Sequence, residues 1–221
     1  MVRRFLRDHA LSLVLGSLFV VFVGAQAGVG FRVYNEEQRD HHEATVGFGT
    51  YLTTAHFGEA VFENWESEFL QMGAYVLLTV WLFQRGSAES KAIGEEEAVD
   101  EAPERHRHDP DAPWPVRRGG AALWLYRNSL SIAFILLFLA SGFAHAATGA
   151  REYSADLVAH GGARISTFEY VTRARFWFES FQNWQSEFMS TAVLVVLSIF
   201  LRHKGSPESK PAGAANSETG A

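Results

Sequence analysis

The sequence predicts an all-α membrane protein, with four spanning helices in two parallel two-helix repeats and both termini cytoplasmic. Three observations predict it. The first is a duplication: Phe62-Glu-Asn-Trp-Glu-Ser-Glu-Phe69 returns as Phe181-Gln-Asn-Trp-Gln-Ser-Glu-Phe188, and both differences are Glu to Gln. Arg85-Gly-Ser-Ala-Glu-Ser-Lys91 returns as Lys204-Gly-Ser-Pro-Glu-Ser-Lys210, and the same 119-residue offset separates the two copies of each phrase. A fixed repeat constrains the architecture before any local reading. The second observation is a pair of long apolar runs at equivalent positions. The third is the placement of Lys and Arg.

Residues 11–30 carry only Ser12, Ser17 and Gln26 as polar side chains, and residues 130–147 only Ser131, Ser141 and His145. At a rise of about 1.5 Å per residue, about 20 residues cross a hydrocarbon core about 30 Å thick. Both runs therefore read as spanning helices one and three. The first is longer than the apolar part of a signal peptide, about 7–15 residues. Residues 69–83 and 188–201 are too short to span alone. Counting back a full span from their ends reaches Asn64 and Asn183, which are repeat equivalents, so helices two and four should begin within the Asn-Trp-x-Ser-Glu motif.

Thirteen basic residues, from Arg3 through the central linker to Lys210, fall on the side of both termini. Six (Arg32, Arg39, Arg151, Arg164, Arg173 and Arg175) fall on the other. The positive-inside rule places the termini and linker in the cytoplasm. An even number of helices per repeat gives both halves the same orientation, about an axis along the membrane normal. The predicted organisation is a first repeat at 7–91, a disordered acidic linker at 92–116, a second repeat at 117–210 and a disordered tail at 211–221. The linker holds eight acids, two Arg and four Pro, too little apolar surface to order itself.

The candidate site follows from depth. Glu68 and Glu187 lie one turn inside Asn64 and Asn183, about 6 Å deeper. A carboxylate inside a span costs a few kcal/mol and normally faces protein. Asn64, Ser67, Glu68 and Gln71 share one helix face, repeated by Asn183, Ser186, Glu187 and Ser190. Gln26 and its equivalent His145 sit at matching depth if helix one ends near Gly30. Gly24 and Gly28, with Gly142 and Ala146, would let helices approach closely. The sequence thus predicts a buried polar cluster of Asn64, Ser67, Glu68, Asn183, Ser186, Glu187, Gln26 and His145 near the outer surface. Trp65, Trp177 and Trp184 read as interfacial anchors.

Two functions fit such a cluster. In one it only fixes helix register, each polar contact contributing about 0.6–2 kcal/mol. In the other it is a cation or proton site on the path of a channel or transporter. The midplane around Val20, Gly73, Ile135 and Ala192 carries no ionisable side chain, which favours the first. Asp40-His41-His42-Glu43 reads as a solvated loop rather than a metal site. The chain has no Cys, so thiol catalysis and disulfides are excluded. No phosphate loop, nucleophile elbow or HExxH is present. The expectation is a non-enzymatic protein without cofactor or metal. Its partners would be the lipid bilayer, copies of itself in a homo-oligomer and, in the second reading, a small cation or proton, with no nucleic acid.

The paired Asn-Trp-x-Ser-Glu-Phe and Gly-Ser-x-Glu-Ser-Lys motifs resemble a bacterial family of small integral membrane proteins catalogued only as a domain of unknown function. The resemblance covers residues 3–91 and 117–210. It implies a multi-pass protein of the bacterial inner membrane and carries no assigned activity or site residue.

Overall fold

The computed structural model describes residues 2–220, and every regular element among them is helical. A short α1 (Val2–Asp8) leads into α2 (Ala10–Asp40), a one-turn α3 (Phe48–Tyr51) and α4 (Ala55–Trp81). Two 3-10 turns, Ala98–Asp100 and Pro103–His106, precede α5 (Trp114–Arg118). Then α6 (Gly120–Arg127), α7 (Ser129–Ala159), α8 (Thr167–Val171) and α9 (Ala174–Phe200) restate the first half. α2 and α7 are both 31 residues long, and α4 and α9 both 27. Both pairs begin and end at the 119-residue offset, so the duplication is one of structure as well as sequence.

The sequence predicts four spans; among the described residues two helices have the length and composition to cross a membrane. They are α2 and α7. α4 and α9 fall short because their first halves hold Glu59, Glu63, Glu66 and Glu68, or Arg175, Glu179 and Glu187. After the last of these acids only about three turns of apolar helix remain. A second difference concerns length. α2 continues ten residues past Gly30, because the polar segment 31–40 has an inward face built from Phe31, Tyr34 and Asn35.

The chain divides into two compact units. The first comprises Met1–Val61 with Ala144–Tyr170. Its core is a tyrosine on each short helix: Tyr51 is 1 % exposed and Tyr170 is 0 %. Tyr51 meets Phe31, Tyr34, His56 and Phe57 with ring centres 5.5–6.0 Å apart. Burial pushes its phenol pKa up, and the charges of Glu37 and Glu152 add to that. Its hydroxyl lies where a Cβ at Gly30 would stand. The equivalent Gly149 faces Tyr170, with the ring carbon Cε1 2.6 Å from an added Cβ. Each repeat thus seats its tyrosine against a bare stretch of helix backbone.

The loop before each tyrosine is pinned at an equivalent site. Asn35 Oδ1 accepts the Val46 N–H at 2.7 Å, and its amide donates to the Val46 carbonyl at 3.2 Å. In the second repeat the Ser154 hydroxyl takes both roles with Ile165, at 3.0 and 3.3 Å. α2 ends at His42 in the left-handed region (φ 59°), and α7 ends at the equivalent Gly161 (φ 81°). That conformation satisfies terminal carbonyls and suits glycine better than histidine.

The second unit comprises Phe62–Phe143 with Val171–Ala221. Here the Gly-Ser-x-Glu-Ser-Lys phrases form matching turns, with Gly86 at φ 85° and Gly205 at φ 91°. Ser90 accepts the Gln84 N–H at 3.0 Å and Ser209 the His203 N–H at 2.9 Å. The serines cap turns here rather than the start of a new helix. Lys91 pairs with Asp100 at 2.6 Å in the linker. Lys210 is buried and donates to the carbonyls of Ala215, Asn216 and Glu218 at 2.8–3.2 Å. The tail continues onto the first repeat's turn, where Thr219 Oγ1 accepts the Gly86 N–H at 2.9 Å.

Candidate functional site

The expected cluster is divided. In the second unit Ser67 is buried, Asn183, Ser186 and Glu187 are half-buried, and Asn64 and Glu68 are exposed. The inward face of α4 is one residue out of step with the predicted stripe: Glu59, Glu66 and Ser67 are buried and Glu63 is half-buried. Residues 59, 63, 66 and 67 keep helical spacing as well as 64, 67, 68 and 71 do, so periodicity alone could not choose between them.

The seam between α4 and α9 joins residues close to repeat equivalence. The Asn183 amide donates to Glu63 Oε1 at 2.9 Å. Gln71 and Thr191 are hydrogen-bonded. Glu68 and Glu187 lie near enough for their charges to act on each other. Near-equivalent residues meeting along two helices is what a twofold axis between parallel repeats produces. Gly142 of α7 faces this seam, where an added Cβ would sit 3.5 Å from the Glu66 carboxyl group. That distance is ordinary contact with a long side chain, so a Cβ would fit at Gly142, and a Cβ at Gly24 or Gly28 meets nothing within 4 Å.

In the first unit His145 is 0 % exposed. A neighbour there is Glu59, rather than the Glu68 or Glu187 of the expected cluster; a ring nitrogen and a carboxylate oxygen lie within 4.8 Å. α2 and α7 run ten residues past Gly30 and Gly149, and α4 and α9 begin nine residues before Asn64 and Asn183, so helix ends alone do not explain the different neighbour. Tyr170 donates to Glu59 Oε1 at 3.4 Å, and Gly149 leaves room for both groups. Imidazole, carboxylate and phenol together can share a proton or turn two ligand atoms toward one cation. Gln26, the equivalent of His145, is exposed and donates to the Ala60 carbonyl at 3.4 Å.

The tryptophans keep company with other rings. Trp177, Phe181 and Trp184 pack along one face of α9, with Trp184 edge-on to both others and centres 5.4–6.4 Å apart. Trp65 packs edge-on to Phe62 at 5.7 Å. Outside the conspicuous motif, Tyr51, Tyr170 and Gly149 carry a signal in the sequence, whereas Glu59, whose equivalent is Phe178, carries none. Gly30 and Tyr51 recur unchanged as Gly149 and Tyr170 at the repeat offset.

Duplicated all-α halves with two helices fit to cross a bilayer define the class. The chain belongs to the family catalogued as Domain of unknown function (DUF6766), which matches residues 2–221. No curated protein and no solved structure matches it significantly.

Proposed function

We propose that this is a multi-pass protein of the bacterial inner membrane that acts by assembling with copies of itself, not by catalysis. Both termini would be cytoplasmic, and α4 and α9 would enter the bilayer beside α2 and α7. One observation carries the reading. The apolar window of α2 is only 6 % buried by its own chain, against 17 % for α7. Its Gly24 and Gly28 are spaced for close helix approach and have no neighbour in their own protomer. A second copy of α2 supplies the missing surface.

The expected result is a stable oligomer in nanodiscs that Gly24→Leu with Gly28→Leu dissociates. Neither substitution meets an obstacle within the protomer, so the melting temperature of the monomer should stay close to wild type. A monomeric wild type, or an oligomer indifferent to both changes, rejects the assignment. Because the chain lacks Cys, single cysteines at Glu104 and His42 test the topology directly. A membrane-impermeant maleimide added outside intact cells should label only the second.

A cation or proton pathway is the second reading, supported by the nearness of the Glu68 and Glu187 charges on equivalent helices. It expects proton or cation flux into liposomes, lost when Glu68→Gln and Glu187→Gln are combined. Absence of flux from the wild type leaves assembly alone.

A further inference from the structure

A cavity of about 350 Å³ lies within the second unit, between α4, α9 and the turn after α4. Its walls are mostly apolar, with Leu78, Phe83, Phe188 and Val195 among them. Glu89 is its only acid, held at one edge by the Tyr75 hydroxyl, which donates to Oε2 at 2.9 Å. The other carboxylate oxygen, Oε1, is buried and accepts no hydrogen bond. Among the described residues Glu89 forms no ion pair.

The cation beside the Phe83 wall is already engaged. Lys91 has its ammonium 5.8 Å from the centre of the Phe83 ring and is paired with Asp100 at 2.6 Å. Glu208 lies within electrostatic reach of the Tyr75 hydroxyl and adds a second negative charge near this edge. A buried carboxylate oxygen without a donor is costly unless something donates to it. Ligand pockets commonly combine apolar walls with a few placed polar groups.

The duplication supplies an internal control. The position equivalent to Tyr75 is Leu194, and that equivalent to Phe83 is Arg202. The second repeat therefore keeps the glutamate, as Glu208, without the phenol that orients it, and it carries a guanidinium where the aromatic wall would be. The feature belongs to one half of the molecule, so it is not a by-product of the repeated turn.

We propose that this cavity binds an amphipathic ligand with a primary ammonium group, its cation against Glu89 Oε1 and its alkyl chain between α4 and α9. The ammonium supplies the hydrogen-bond donors and the charge that Glu89 lacks, and Leu78, Phe188 and Val195 give the alkyl chain an apolar wall. A free long-chain amine and the headgroup of an aminophospholipid share this chemistry. The proposal does not depend on self-assembly.

The full-length protein is tested in dodecyl maltoside, whose headgroup has no nitrogen, with protein-free micelles as the blank. Dodecylammonium should bind saturably by calorimetry, and dodecanol at least tenfold more weakly. Glu89→Gln, which can still accept from Tyr75, should weaken the amine at least tenfold while the melting temperature without ligand stays near wild type. Ala192→Phe, which fills the cavity, should abolish binding. If dioctanoyl-phosphatidylethanolamine displaces the amine, the ligand class is the lipid headgroup; if it does not, it is a free amine. Equal binding of amine and alcohol, undiminished binding by a folded Glu89→Gln protein, or no saturable binding at all would overturn the proposal.

Discussion

Tyr170→Ala should destabilise the protein by about 3–5 kcal/mol, the range for removing a buried aromatic side chain. The ring is fully enclosed, rests on the bare backbone at Gly149 and lies 5.8 Å from the Tyr153 ring. Truncation leaves a void that the helices cannot close, and it also removes the donor to Glu59. Tyr170→Phe separates these effects, because it keeps the ring and loses one hydrogen bond, worth about 1 kcal/mol. Gly149→Leu attacks the same joint from the other side, since even a Cβ would come 2.6 Å from the ring and 2.9 Å from Glu59 Oε1. Overpacking of a filled site costs about 1–3 kcal/mol. Phe168→Ala, two residues away and 82 % exposed, should change little. Reversible unfolding in mixed micelles measures all four. If Tyr170→Ala lies within 1 kcal/mol of wild type, α8 is not docked on α7 as described.

Asn35→Leu should cost about 2–3 kcal/mol, although leucine is close in size. The asparagine satisfies both the N–H and the carbonyl of Val46 and also donates to the Phe31 carbonyl at 3.1 Å. Leucine can do none of these, and polar backbone groups left unpaired away from water cost about 1–3 kcal/mol each. Val46 is half-buried, so solvent recovers part of the loss. Ser154→Ala, the equivalent change, breaks two longer contacts and should cost less. Hydrogen exchange gives a local readout: the Val46 amide should exchange faster in Asn35→Leu, with the α2 interior unchanged. An unaltered Val46 amide would show that the loop is held by something else.

Both of these joints were present in the sequence in a form that motif reading overlooks. The conspicuous repeat is Asn-Trp-x-Ser-Glu, which drew attention to Glu68 and Glu187. The Gly30–Tyr51 and Gly149–Tyr170 pairs are spread over 22 positions in each half, and a pairing across a loop has no local spacing rule. The Asn35–Val46 and Ser154–Ile165 clasps are harder still, since asparagine and serine do the same work with different side chains. His145 stands out in the sequence as a polar residue in an apolar run, but which acid it meets depends on how two helices slide along each other, and no local spacing encodes that.

The amino-acid order alone was enough for the duplication, the all-helical class and the two long apolar runs that became α2 and α7, though it pointed to four spans where two helices qualify. These follow from composition and periodicity, which local hydrogen bonding and the hydrophobic effect enforce on any packing. Which face of α4 turns inward, which acid meets His145 and that Glu89 borders a cavity were settled by packing. A helix rich in glutamate offers several faces of nearly equal polarity. Which one is buried depends on the partners that neighbouring helices bring, a choice made by contacts distant in sequence.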